Sequence, residues 1–408
     1  MSSQPIVTSL LDTDLYKFSM LQAAWNQYPE ARVTYAFTCR TPLISVTKSG
    51  EPKYTLSQLV DISELHRQIE FLKEIPLQPD EAEYLVGLDY MKESFLSDVV
   101  NTCPMQKVFV KAIVLPDGNI SIKISGYWWE AILYEVPVLA IISELAMNSL
   151  RKIAGQDMYL ETARVGLAKL NDKIKLLREF PGVKFADFGT RRRYSKAWHD
   201  TVVGTLQARC KNCIGTSNLW LARKYGMKPI GTVAHEWTMA HLGLVDRPRQ
   251  AQGRALHVWQ QEFGSRLGIA LTDTFTTDAF FQDFDFPLAR AYDGIRHDSG
   301  CPHVFTEKAI AHYESVGIDP KRKTIIYSDG LDFPKMIEIW KRYAGEVGIA
   351  FGIGTNLTND VGLTPMNIVI KLTQCNGKPC IKLSDVPGKE MGDPGMIQMV
   401  KDVYKIER

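Results

Sequence analysis

Apolar and polar positions follow two rhythms along the chain. In the first part the pattern is mixed. Residues 33–38 (VTYAFT) predict a strand, and residues 107–115 and 119–124, joined through Pro116-Asp117-Gly118, predict a β-hairpin. Residues 128–150 are the most apolar stretch, but Glu130, Glu135 and Glu144 interrupt them. A spanning helix needs about 20 apolar residues with few charges, so this stretch is expected to be a buried helix and not a membrane segment. Residues 157–180 carry Leu160, Ala163, Leu167, Leu170 and Ile174 three or four apart, which predicts an amphipathic helix.

After that helix, short apolar runs each end in polar or glycine-rich residues. They are VKFADFGTRRR (183–193), KPIGTVAHEW (228–237), GIALTDTFTTD (268–278), AYDGIRHDSG (291–300), KTIIYSDGLD (323–332) and GIAFGIGTNL (348–357), with helical segments between most of them. Strands alternating with helices predict an α/β fold with a mainly parallel sheet. Polar residues after several strands predict a barrel with its site at the strands' C-terminal ends. An open doubly wound sheet would gather ligands at one switch point instead. Residues 367–375, then Asn376-Gly377, then 378–383 predict a second hairpin, expected to pack back on the N-terminal strands.

Composition narrows the partners. The 408 residues are 45% hydrophobic and 23% charged, with a net charge of +2. A clustered basic excess is the usual mark of duplex binding, so nucleic acid is not expected as a partner. The N-terminal MSSQPIVTSLLDTD lacks a basic region followed by an apolar core, so no signal peptide is expected there. Seven scattered cysteines, Cys39, Cys103, Cys210, Cys213, Cys301, Cys375 and Cys380, fit a reducing compartment better than a disulfide framework. Cys210 and Cys213 form one C-x-x-C, and only the distant Cys375 and Cys380 offer two more zinc ligands, so zinc is not expected.

Single motifs are weak by themselves. His235 in GTVAHEW ends an apolar run, where a histidine is commonly just hydrogen-bonded in the core. Glu236 suggests H-E-x-x-H, but the next histidine is His241, about 240° round a helix, so a metalloprotease site is excluded. Imidazole can instead act as a nucleophile when an acid fixes its tautomer, and Asp273 is the candidate orienting group. Arg191, Arg192 and Arg193 follow Phe188-Gly189, and Arg296 precedes Asp298. Arginine at these positions suits a carboxylate or phosphate ligand. The turns Ser328-Asp329-Gly330 and Gly354-Thr355 can cradle a phosphate through backbone N–H groups. No Walker A pattern and no dinucleotide G-x-G-x-x-G occurs. The residues alone therefore predict an α/β barrel enzyme with a multi-anion site, substrate unnamed.

These segments closely resemble the nicotinate phosphoribosyltransferase family, in its bacterial-type, ATP-coupled form. The matching blocks include LLDTDLYKFSMLQA (10–23), YAFTCR (35–40), FADFGTRRR (185–193), GTSN (215–218), GTVAHEW (231–237), DTFTTDAF (273–280), GIRHDSG (294–300), EKAIAHYESVGIDP (307–320), FGIGTNLTND (351–360) and NIVIKLTQCNGKPCIKLSD (367–385). The resemblance implies an irregular α/β barrel of the type II phosphoribosyltransferases, residues 131–360. A second, mixed α+β domain would comprise 1–130, completed by 361–408. It implies a cytoplasmic homodimer with shared active sites, acting in NAD biosynthesis on nicotinate, phosphoribosyl pyrophosphate and ATP, with Mg²⁺ whose ligands are unknown.

The roles it implies are as follows. His235 is phosphorylated by ATP and Asp273 orients it. Phe188 and a partner subunit's Tyr16 sandwich the pyridine ring. Arg191, Arg296 and Asp298 contact nicotinate, ribose or phosphates, and Asp298 joins the catalytic set. Ser328, Asp329, Gly330, Gly354 and Thr355 hold the 5′-phosphate. Related nicotinamide enzymes carry aspartate where this chain has Ser217, which suits donation to a carboxylate and favours the acid over the amide. The family usually follows HDSG with aspartate, whereas this chain has Cys301. That loses a hard oxygen ligand that would help to place magnesium. Asp329 is one acid able to cover its role. The rival readings are a nicotinamide phosphoribosyltransferase and a degenerate nicotinate-binding protein.

Overall fold

The computed structural model describes residues 4–46, 53–102, 104–155 and 158–407; Cys103 and Asp157 lie outside these. The strands are β1 (Arg32–Cys39), β2 (Ile44–Ser45), β3 (Lys53–Tyr54), β4 (Phe109–Val114), β5 (Ile120–Tyr127), β6 (Phe185–Asp187), β7 (Cys213–Thr216), β8 (Ile269–Leu271), β9 (Gly294–His297), β10 (Thr324–Tyr327), β11 (Gly348–Ile353), β12 (Ile368–Cys375) and β13 (Lys378–Pro379). An antiparallel sheet has the order β13-β12-β1-β5-β4, and a six-stranded sheet has the order β7-β6-β11-β10-β9-β8. Every pairing in the second sheet is parallel. Strands β2 and β3 form a separate ribbon.

Both predicted hairpins are present. Asn376 (φ 49°) and Gly377 (φ 76°) take the left-handed conformations of a two-residue turn, which fixes the register Cys375↔Lys378. Strand β1 pairs with β12 on one edge and β5 on the other, so both ends of the chain contribute to the antiparallel sheet. Residues 128–153 form a short helix Trp128–Ala131, a 3₁₀ turn and the helix Glu135–Ile153, buried along most of their length. Among the described residues no helix is long and apolar enough to cross a membrane.

Two expectations need correction. Residues 228–234 form no strand. They make one isolated bridge, Thr216↔Pro229, and Thr232 Oγ1 donates to the Ile269 carbonyl at 3.0 Å. This stretch therefore runs between β7 and β8 as irregular chain. Pro229 has no N–H to give a ladder, and Gly231 weakens one. The helix Met158–Arg178 is also rotated from the expected face. Leu170 and Ile174 are buried, but Leu160 is 73% exposed and Leu167 42%. The packed line passes through Thr162 and Gly166, because Trp198 lies against Gly166 where any Cβ would clash at 2.6 Å. A glycine, invisible to a hydrophobic pattern, sets the face.

The described cysteines are free. Cys210 and Cys213 lie at the parallel sheet and Cys375 and Cys380 at the antiparallel hairpin, so the two pairs do not form one ligand set. A small satellite core joins Phe275 and Ala279 to Ile381, Leu383, Val400 and Tyr404. It fastens the C-terminal tail over the turn that follows β8, which matters for the site.

Candidate active site

Parallel strands present their C-terminal ends on one side. Phe188, Ser217, Asp273, Asp298, Ser328–Gly330 and Gly354-Thr355 follow β6, β7, β8, β9, β10 and β11 in turn. Phe188 N donates to the Ile353 carbonyl at 2.8 Å. Its ring lies over Gly352, where a Cβ would stand 2.3 Å from the ring, so only glycine lets the aromatic face sit there.

At one end of this surface each buried carboxylate is hydrogen-bonded, while Arg193 Nε and His199 Nδ1 have no hydrogen-bond partner. Asp187 accepts from Thr216 Oγ1 at 2.6 Å and Gly189 N at 2.9 Å, and its other contact is His199 Nε2 at 2.7 Å. Ser217 Oγ donates to Asp14 Oδ1 at 2.7 Å. The three consecutive arginines diverge. Arg193 is buried and pairs with Asp12 through two bonds of 2.6 and 2.9 Å. Arg192 Nε donates to the Ile368 carbonyl, and the partly exposed Arg191 lies 3.6 Å from Glu135. Burial pushes the Tyr16 phenol well up, with Glu135 and Asp14 adding to it and Arg191 opposing. Tyr16 thus stands beside these groups of its own chain.

The other end centres on His235, the first residue of the helix His235–Leu244. Its Nδ1 meets Thr274 Oγ1 at 3.0 Å. Its Nε2 has two neighbours, Asp298 Oδ2 at 2.9 Å and Lys382 Nζ at 2.8 Å. One nitrogen cannot donate to the carboxylate and accept from the ammonium together. Burial, then Lys382, lowers the His235 pKa. Asp298 is held well below the usual carboxylate range: burial opposes this, but bonding to His235 and the charge of Arg296 outweigh it. Ser328 Oγ donates to Asp298 Oδ1 at 2.6 Å. Lys382 Nζ also lies 3.0 Å from Asp273 Oδ2, which accepts from Ser299 Oγ at 2.6 Å. Among the described residues here, Asp273 Oδ1, Arg296 Nε and both ring nitrogens of His297 are buried without a hydrogen-bond partner.

Three of the expected site residues are engaged within the chain. Asp273 Oδ1 stands 3.6 Å from His235 Nε2, an ion-pair contact, while Thr274 and Asp298 are within hydrogen-bond distance of the ring. Ser217 donates its single proton to the Asp14 carboxylate, so that proton is not free for a ligand's carboxylate. Ser328 likewise spends its hydroxyl on Asp298. The Ser328–Gly330 and Gly354-Thr355 turns do lie side by side, because β10 pairs with β11. Cys301 is exposed and precedes the helix Pro302–Ser315 without a side-chain cap bond. Burial, Asp298 and Asp273 are among the causes that raise Asp329, which places it in the same acidic field.

The sequence reading missed Lys382, Lys371 and Arg40. Burial, with Arg40, Lys382 and Arg191 adding repulsion, brings Lys371 down to about 7. Burial, Arg191 and Arg40 bring Arg192 down to about 9. Several cations thus share one neighbourhood with too few acids, as in a site for a polyanion. The signal was present in the alternating hairpin strand that carries Lys371. The oxygen donors suited to magnesium are Asp298, Asp329 and the unpartnered Asp273 Oδ1; His235, Asp273 and Asp298 offer ligand atoms all within 4.8 Å of one another.

Comparison with known proteins agrees over the whole chain. Residues 183–408 match the nicotinate phosphoribosyltransferase (NAPRTase) family, and residues 11–143 match the NAPRTase N-terminal domain. A relative named nicotinate phosphoribosyltransferase from Cupriavidus necator is 41% identical, covering 98% of this chain and 99% of its own. The crystal structure of nicotinate phosphoribosyltransferase from Vibrio cholerae superposes with a TM-score of 0.87 at 37% identity, over 100% of this chain and 95% of that one. The Porphyromonas gingivalis enzyme of the same name gives 0.86 at 34%, over 98% and 100%. Two family profiles, full-length relatives and the same fold lead to one conclusion: the chain belongs to the nicotinate phosphoribosyltransferase family.

Proposed function

We propose that this chain joins nicotinate to the phosphoribosyl group of 5-phosphoribosyl 1-pyrophosphate and couples the reaction to ATP through phosphorylation of His235. The observation that carries the coupling is His235 itself, at a helix start between Asp298 and Lys382, on the same face as the cationic cluster and Phe188. In the transfer, nicotinate N1 bonds to C1 of the ribose while the C1–O bond breaks and pyrophosphate leaves with the electron pair. Phe188 and the partner subunit's Tyr16 position the ring, and Arg191 and Arg296 take its carboxylate or a phosphate. Arg296 Nε, buried without a partner, is a donor still to be filled. Arg40, Lys371 and Lys382 neutralise the leaving pyrophosphate. Preorganised cations act where charge develops, which is the main lever for such a reaction.

In the coupling half, a ring nitrogen of His235 takes the γ-phosphoryl of ATP and ADP leaves; water later returns phosphate and the free imidazole. Lys382, already at the ring, meets the added phosphoryl charge. Asp273 and Asp298 would hold Mg²⁺, which would supply further charge neutralisation when bound. The Ser328–Gly330 and Gly354-Thr355 turns suit the 5′-phosphate. The domain division at residues 130 and 360, a cytoplasmic location, and a homodimer with shared active sites belong to the same reading. Asp14, beside Ser217, favours one rival: it is an acceptor suited to the amide of nicotinamide. Paired turnover assays with nicotinate and nicotinamide, each with and without ATP, test the proposal. Turnover of nicotinate, stimulated by ATP, is expected; preference for nicotinamide overturns it.

A further inference from the structure

Lys17 is fully buried, and its Nζ lies 2.5 Å from both Glu135 Oε2 and Glu236 Oε2. Such a charge is retained in a protein interior only with close partners, and these two carboxylates supply them. Glu236 is otherwise held by Tyr35 OH at 3.1 Å and Trp128 Nε1 at 3.3 Å. The cluster spans three helices, Leu15–Gln27, Glu135–Ile153 and His235–Leu244. Its members border both ends of the site. Lys17 follows Tyr16, and its ammonium is 5.4 Å from that ring's centroid. Glu135 reaches Arg191 with its other oxygen, at 3.6 Å. Glu236 follows His235 in the first turn of its helix.

We infer that Lys17, Glu135 and Glu236 are positioning residues that couple occupancy of the pyridine subsite to the state of His235. The inference rests on the reading above. Glu135 faces Arg191 through one carboxylate oxygen and Lys17 in the core through the other. An anionic ligand that takes Arg191 frees Glu135 to hold Lys17 more fully, and Lys17 then holds Glu236 less. Because Glu236 fixes the first turn of the histidine's helix, the ring is re-aimed. By linkage, phosphate on His235 tightens the pyridine subsite by the same factor. Coupling of this kind is worth about 5- to 150-fold in affinity.

The test measures the nicotinate KM of the full-length chain with and without ATP. The ratio of the two values reports the coupling, which loss of stability alone does not move. In Glu135→Gln and Glu236→Gln, which keep the side-chain shape, the ratio is expected to fall at least fivefold toward unity. Lys17→Arg, which keeps the charge, is expected to retain more of the ratio than Lys17→Met. A thermal melt of each variant shows that it is folded, and Glu135→Gln, nearest the pocket, is the variant least exposed to folding failure. Wild-type coupling preserved in both glutamine variants overturns the inference alone. A wild-type chain whose nicotinate turnover ignores ATP overturns the function proposed above as well.

Discussion

The two ends of the site differ in how their carboxylates are satisfied. At the Phe188 end the carboxylates of Asp187, Asp14 and Asp12 are each hydrogen-bonded, by Thr216, Ser217 and Arg193, although Arg193 Nε and His199 Nδ1 have no hydrogen-bond partner. At the His235 end, Lys382 and Asp298 compete for one nitrogen, while Asp273 Oδ1 and Arg296 Nε have no partner. A satisfied network gives shape and stability, whereas an unsatisfied one is a standing demand for a ligand. On the proposed reading, the first end recognises a flat ring and the second handles transferred charge.

The largest expected effect lies at the satisfied end. Arg193→Met leaves Asp12 buried without its bidentate partner and is expected to cost about 3–5 kcal/mol of stability. Urea unfolding measures it, and an unchanged midpoint breaks the contrast. At the contested end the cost moves from stability to rate. Lys382→Met is expected to lower ATP-coupled turnover about 10²–10³-fold, the worth of a preorganised charge donor. Its melting temperature is expected to fall by less than that of Arg193→Met, because buried Asp273, which loses Lys382, keeps its hydrogen bond from Ser299.

Lys371 gives a pH test. It titrates near 7 in the folded chain, so its charge is present below that pH and lost above it. Above pH 7, kcat/KM for phosphoribosyl pyrophosphate is expected to fall about tenfold, the worth of one charge-assisted hydrogen bond. Lys371→Met should flatten that limb. The smallest effect is Ser217→Ala. It removes one donor to Asp14 and is expected to cost about 1 kcal/mol. Nicotinate KM should rise only modestly, since the serine's proton faces Asp14 and not the ligand.

Much of the fold was legible in the sequence because its signals are local. Asn376-Gly377 dictates a hairpin through its own backbone preferences, and the apolar runs at 183–193 and 323–332 mark strands by composition. The site was legible only in part. His235, Asp298 and Arg296 stood out as polar residues closing apolar runs, yet their partners did not. Lys382 meets His235 across 147 residues, and Ser217 meets Asp14 across 203, so no pattern along the chain links them. Pro229 and Gly231 turned an expected strand into irregular chain, and Gly166 moved a helix face, because packing overrode hydrophobic periodicity.

The central claim is that His235 carries phosphate during turnover. Mass mapping of the full-length chain after incubation with ATP and Mg²⁺, kept away from acid, tests it most directly. The account predicts one phosphoryl group on the peptide containing His235, absent in His235→Ala, together with loss of ATP hydrolysis in that variant. ATP-stimulated nucleotide formation with no phosphate on His235, or undiminished ATP hydrolysis in His235→Ala, contradicts it.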